Sequence, residues 1–191
     1  ALTPLLNPQS GEVDPRPFSA RLLWDDEALY VGVRADDEDI VAAPLPPRGQ
    51  DTPQCGFDCI DLLLDAAGDG HNYAEIQLSP LGALSDAQWA APRDPSPHGA
   101  LTWKSNAMGA VSVLGTVGTP GDTDHGWSAE LRVPWSALGR TAPPDANTTV
   151  RANLYVRDVS STGTANTLAW SATRATDLHV PARFGRLTFA R

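Results

Sequence analysis

Apolar and polar residues alternate along much of this chain in short runs. Leu29, Val31, Val33 and Ala35 alternate with Tyr30, Gly32 and Arg34. That is the two-residue period of a strand that buries one face. Trp127 to Val133 repeats the alternation. Cys59 to Asp65 (CIDLLLD) and Asn72 to Leu78 (NYAEIQL) are more continuously apolar, and turn formers bound them. Between these two runs lie Ala66 to His71, with Asp69-Gly70 as a hairpin signal, because such a turn needs positive φ. Further strands are predicted at 20–24, 83–89, 111–117, 150–157, 168–171 and 184–189. Residues 134–138 read as one helical turn, with Pro134 at its start and Gly139 past its end. No long amphipathic helix is present. The pattern predicts an all-β fold, an antiparallel β-sandwich of immunoglobulin-like or jelly-roll-like form. It comprises an irregular lead-in over 1–18 and a single domain over 19–191.

Composition narrows the partners. The net charge is −9 and Lys104 is the only lysine. Nucleic acid and anionic membrane both need a basic surface, so neither is expected. Neutral ligands such as sugars, and divalent cations, suit this balance. No apolar run approaches the ~20 residues that cross a bilayer, so no membrane insertion is expected. No signal peptide is recognisable, and the abrupt start at Ala1 is expected of a mature or shortened chain.

The two cysteines, Cys55 and Cys59, are close in sequence. Extended backbone would hold their Cα atoms roughly 13 Å apart, beyond disulfide reach. A bridge therefore requires a turn at Gly56. The alternatives are that bridge, which implies an oxidising compartment, or two free thiols.

Candidate chemistry is sparse. Asp36-Asp37-Glu38-Asp39 ends a strand. It reads either as a solvated turn or as a calcium site through Asp36 and Asp39, since calcium prefers carboxylate oxygens. No Gly-x-Ser-x-Gly elbow, zinc spacing or phosphate loop is present. Asp58 and Asp61 face opposite ways along a strand and form a poor glycosidase pair. The chain is therefore expected not to be an enzyme. Trp24, Trp127, Trp135 and Trp170 read as core. Trp89 and Trp103 flank a proline-rich loop, where an exposed aromatic surface and packing beneath the loop are both open. His71 falls in the hairpin turn, where it is expected to be solvated.

Several phrases carry a resemblance. Leu22 to Val31 (LLWDDEALYV), Asp58 to Asp65 (DCIDLLLD), Tyr73 to Gly82 (YAEIQLSPLG), Trp127 to Leu138, Asn153 to Asp158 (NLYVRD), Ala169 to Ser171 and Pro181 to Leu187 follow one another. In that order they resemble family 9 carbohydrate-binding modules over roughly 20–190. The resemblance implies a β-sandwich, secretion, and binding of sugars or sugar ends, often beside calcium. Asp61 stands at the family's acidic hydrogen-bonding position. Gln77 and Ser79 stand where an arginine and an asparagine would be, and Tyr155 and Arg157 where a glutamine and an asparagine would be. The two sugar-stacking tryptophans fall at Cys55 and near Leu178 or His179, so both are missing. Phe57, Trp89, Trp103 and His179 are the residues available to replace them.

The expected site is thus Asp61, Gln77, Ser79, Tyr155, Arg157 and His179 on a concave face, rimmed by 44–57 and 176–182. The function expected is that of a secreted, periplasmic or cell-surface carbohydrate-binding module, non-catalytic itself or accessory to a glycan-active enzyme. The competing reading of Asp61 and Arg157 is a buried ion pair that fixes the sheet. It goes with an interaction domain whose sugar site has decayed. Some related sandwiches carry haem, but Met108 and Lys104 are too close together to hold it from both sides, so no haem is expected.

Overall fold

The computed structural model describes residues 2, 4–16, 18–47, 51–92, 100–119 and 121–190. Ten strands form: β1 (Ser19–Trp24), β2 (Ala28–Ala35), β3 (Cys59–Asp65), β4 (Tyr73–Leu78), β5 (Leu84–Trp89), β6 (Met108–Leu114), β7 (Gly126–Pro134), β8 (Thr149–Val159), β9 (Ala165–Ala169) and β10 (Gly185–Thr188). Every pairing between them is antiparallel. One sheet has the order β1-β2-β7-β6. The other has the order β10-β8-β3-β4-β5, with β9 also on β8. The expected β-sandwich is what forms.

The core lies between the sheets. Leu29, Val31, Val33, Leu131 and Val133 meet Ile60, Leu62, Leu64, Ile76, Leu78, Leu154 and Val156 there. Strands β3 and β4 are buried at every position, on both faces. This explains why they read as near-continuous apolar runs while β2 and β7 alternate. The outward side of β3 is therefore Cys59, Asp61, Leu63 and Asp65, and something must cover it.

Local chemistry sets the joints. Asp65 caps the β3–β4 hairpin, its two carboxylate oxygens accepting from Gly68 N–H at 2.7 Å and Gly70 N–H at 2.9 Å. Both glycines have positive φ, 71° and 81°. The expected helical turn is a 3-10 turn at Trp135–Leu138, closed by Gly139 at φ 67°. A second 3-10 turn, Pro181–Arg183, was not expected. Strand β6 begins three residues before the expected run and ends before Gly115. A Cβ on Gly115 would lie 2.1 Å from the Asp124 carboxylate, and its φ of 147° is closed to most residues. Strand β9 also lies earlier than expected, because Ser160 N–H donates to Thr164 carbonyl and folds it back on β8. The lead-in docks on the sandwich: Leu6 exchanges backbone hydrogen bonds with Ala169. Residues 48–50 of the first proline-rich loop and 93–99 of the second lie outside the described residues.

Candidate functional site

The site sits on the face of the six-stranded sheet turned away from the core. Register fixes it. Asp61 is opposite Gln77 on β4 and opposite Tyr155 on β8, while Cys59 is opposite Arg157. Side chains alternate along each strand, so Asp61, Gln77, Tyr155 and Arg157 share one face. Glu75, two residues before Gln77, shares it too. All three members of the central row are deeply set, with Asp61 5 %, Gln77 9 % and Tyr155 1 % exposed.

Each of these polar groups has a distinct situation. Gln77 is held at both ends. Its Oε1 accepts from Gln54 N–H at 2.7 Å and Cys55 N–H at 3.3 Å, and its Nε2 donates to Glu75 Oε1 at 2.9 Å. Glu75 Oε2 accepts from Trp89 Nε1 at 2.6 Å. Tyr155 donates to the Leu178 carbonyl at 2.8 Å and accepts from Asn153 Nδ2 at 2.8 Å. Burial pushes the Tyr155 hydroxyl far above its usual range, with the Asp61 charge adding to it. Burial likewise holds Asp61 well above the usual carboxylate range, reinforced by the neighbouring Glu75 carboxylate. Both Glu75 oxygens accept from N–H donors, and the raised pKa of Asp61 favours its protonated form. Asp61 then offers a neutral carboxyl, and its Oδ1 is buried with no partner among the described residues.

Arg157 donates through Nη1 to Thr167 Oγ1 at 3.2 Å, and its Nε is buried with no partner. Among the described residues no ion pair joins it to Asp61. The sheet-fixing pair is therefore not formed. Gln54 Oε1 is a third buried atom without a partner. The loop that carries Gln54 is pinned by the disulfide Cys55–Cys59, whose Cα atoms are 5.3 Å apart. Phe57 N–H donates to Gln54 carbonyl and supplies the turn that the bridge requires.

The other expected residues fall nearby or elsewhere. Ser79 is buried and its Oγ accepts from Ala83 N–H at 3.2 Å, so it serves the β4–β5 turn. His179 stands at the far end of the face. Its Nδ1 bonds the Tyr73 hydroxyl at 2.9 Å, and its ring packs on Trp89 at 4.2 Å between centroids. Burial lowers the His179 pKa despite the Glu75 carboxylate 3.6 Å away. Trp89 lies under this strap beside Tyr73, and Trp103 packs against the main core. Leu63, Tyr73, Trp89, Tyr155, Phe184 and Leu178 form a second apolar cluster that roofs this half of the face. Neither tryptophan is an exposed stacking platform.

The acidic stretch after β2 behaves differently from residue to residue. Asp36 pairs with Arg34 at 3.0 Å. Asp39 accepts from Ser161 N–H and Oγ, both at 2.7 Å. The carboxylates that converge are Asp37, Asp58 and Asp158, whose oxygens lie within 4.8 Å of one another. Asp37 and Asp158 border a cleft of about 1000 Å³, and Asp58 is buried. Burial raises Asp37, and burial with its acidic neighbours pushes Asp58 up to about 8. Arg16, paired with Asp158, supplies one positive charge against the three. A donor set of hard, mutually repelling oxygens fits a hard divalent cation.

No protein-family model matches the sequence, and no curated protein matches it. Solved structures do. A family 9 carbohydrate-binding module from Caldicellulosiruptor kristjanssonii, in complex with cellotriose, superposes with a TM-score of 0.64 over 97 % of this chain and 80 % of its own, at 14 % identity. The fold is that of family 9 carbohydrate-binding modules. A family 9 module from the same organism in complex with glucose gives 0.62 over 98 % and 85 %, at 16 % identity. A candidate carbohydrate-binding protein from Bacteroides uniformis gives 0.65 over 90 % and 78 %, at 19 % identity. Within this family 9 fold, the position of the first stacking tryptophan in the resemblance is here a disulfide half, Cys55.

Sequence reasoning did not carry Glu75, Gln54, Asn153 or the Asp37–Asp58–Asp158 group into the expected site. Glu75 was legible, since it shares strand parity with Gln77. The others meet only through register between distant strands and loops.

Proposed function

We propose that this protein is a non-catalytic carbohydrate-binding module that takes a sugar or glycan end on the outward face of the six-stranded sheet. One observation carries the reading. Among the described residues four buried side-chain atoms lack partners: Arg140 Nε, just past the 3-10 turn, and Gln54 Oε1, Asp61 Oδ1 and Arg157 Nε, which all belong to this face or the loop pinned to it. An unmatched buried polar atom costs about 1–3 kcal/mol, so three near one place call for a ligand. A hydroxyl both donates and accepts. Vicinal hydroxyls of a sugar can therefore meet the Asp61 carbonyl, the Gln54 amide oxygen and the Arg157 guanidinium together. The likeness to sugar-binding modules supports this choice of ligand. The Cys55–Cys59 bridge supports an extracytoplasmic setting, secreted, periplasmic or at the cell surface.

Calcium is proposed as a structural ion at Asp37, Asp58 and Asp158, where it would neutralise carboxylates that burial penalises. The protein's own residues do the rest. Asp58 ties the site to the backbone by accepting from Val41 and Val159 N–H, both at 2.6 Å.

A second reading has its own support. Tyr155 and Gln77 spend their hydrogen bonds inside the protein, and Leu178 and Phe184 roof half of the face. That suits an interaction domain with a decayed sugar site. Calorimetry against a broad glycan panel separates the two. The carbohydrate reading predicts heat with at least one glycan and weaker binding in Arg157→Ala, with the variant still folded by circular dichroism. No heat with any glycan leaves the interaction domain.

A further inference from the structure

We infer that the preferred ligand is an acidic sugar, a hexuronic acid or a glycan ending in one, whose carboxylate is taken by Arg157. The inference rests on the carbohydrate reading above and narrows it. Three arginines in the described structure pair with carboxylates, and of the others Arg157 is the one whose strand position places it next to the Asp61–Tyr155 row of the candidate face. Arg16 pairs with Asp14 and Asp158, Arg34 with Asp36, and Arg132 with Glu27. Among the described residues Arg157 has none, although it is half-buried and the protein as a whole is acidic. Its guanidinium donates to a neutral threonine hydroxyl, and its Nε meets no partner among the described residues. A guanidinium stays charged at every working pH, and a planar fork of donors is matched best by the two oxygens of a carboxylate.

Position matters as much as charge. Arg157 lies opposite Cys59 on one side and Thr167 on the other. It is thus the next residue along the face from the Asp61–Tyr155 row, and it neighbours the disulfide-pinned loop. Diagonal neighbours on adjacent strands are about 7–8 Å apart at Cα, and both side chains shorten that span. A hexuronate carries its carboxylate at one end of the ring and hydroxyls along the rest. With the carboxylate on Arg157, those hydroxyls fall towards Asp61 Oδ1. Asp61 does not oppose this. Burial favours its protonated form, so it faces the ligand as a neutral carboxyl.

The missing aromatic clamp fits the same account. Stacking rings bind the apolar C–H face of a neutral sugar. A site that has lost both rings and gained a free guanidinium has traded apolar contact for charge recognition.

The test compares each uronate with its neutral parent on the native protein by calorimetry at low ionic strength: glucuronate against glucose, and galacturonate against galactose, with their dimers. The expected result is at least tenfold tighter binding of one uronate than of its parent. In Arg157→Gln that ratio should fall to about one, and in Arg157→Lys it should fall only in part, since lysine keeps charge but not the fork. Parity between uronate and parent, or a preference for the parent, in the native protein overturns the inference while leaving the carbohydrate reading intact. A tenfold preference that survives in Arg157→Gln overturns the assignment to this residue. Heat with neither member of any pair, nor with any glycan of the wider panel, removes both.

Discussion

Replacing Cys55 and Cys59 together by serine tests how the face is kept in shape. The bridge spans a sequence separation of only 4. In the loop-entropy account, closing a ring of about five residues restrains the unfolded chain by about 2 kcal/mol. Longer rings gain more, so this is a small contribution by disulfide standards. The bridge also holds Gln54 and Cys55 where their N–H groups meet Gln77 Oε1. Each such bond adds about 1 kcal/mol if the freed loop gives it up. For a domain of this size, 2 kcal/mol lowers Tm by about 4–8 °C. Differential scanning calorimetry on the native protein and the double variant measures it directly. The same variant should bind the preferred sugar more weakly, because the loop supplies Gln54 to the site. A Tm loss below about 1 °C with unchanged sugar affinity would show that the hydrogen bonds alone fix the loop, and the reasoning would be wrong.

Asp61→Asn mimics the protonated acid. Because the folded-state pKa of Asp61 is raised, the native state holds this proton more tightly than the unfolded chain. Stability conferred by Asp61 is greatest at low pH and declines as pH rises from the ordinary carboxylate range towards the folded value. Asp61→Asn should therefore show a flatter decline in Tm as pH rises above the ordinary carboxylate range; an unchanged slope refutes the raised pKa. Calcium should stabilise the native protein more near the Asp58 value of about 8 than at acid pH, since only ionised carboxylates hold it. Equal Tm shifts with calcium and with chelator at both pH values would remove the ion. Gly126→Ala places a Cβ 2.1 Å from the Ala35 carbonyl at a φ of 112°. It should cost at least about 3 kcal/mol, read as a lost or strongly lowered thermal transition, whereas Gly32→Ala meets nothing within 4 Å and should be tolerated.

Much of this architecture is legible in the strand pattern. The alternation at 29–35 and 127–133, and the twin apolar runs at 59–65 and 72–78, mark strands that form as expected. Parity along those strands also puts Asp61, Gln77, Tyr155 and Arg157 on one face before any register is known. What parity cannot give is what covers that face. The strap from Leu178 to Phe184 bonds Tyr155 through a backbone carbonyl, and carbonyls leave no trace in a sequence. Asp37, Asp58 and Asp158 come from three separate segments and meet only because β3 and β8 pair. The acidic run drew attention to Asp36 and Asp39, which the fold uses for Arg34 and Ser161. Strand β6 was misplaced because its start depends on pairing with Arg132 of β7 and its end on one glycine.

Amide chemical-shift mapping during titration with the tightest-binding glycan tests the binding face most directly. The account predicts that the largest shifts fall on Gln54, Cys55, Asp61, Gln77 and Arg157. Shifts confined to the acidic cleft around Asp37, or to the outer face of the four-stranded sheet at Tyr30 and Arg132, would contradict it.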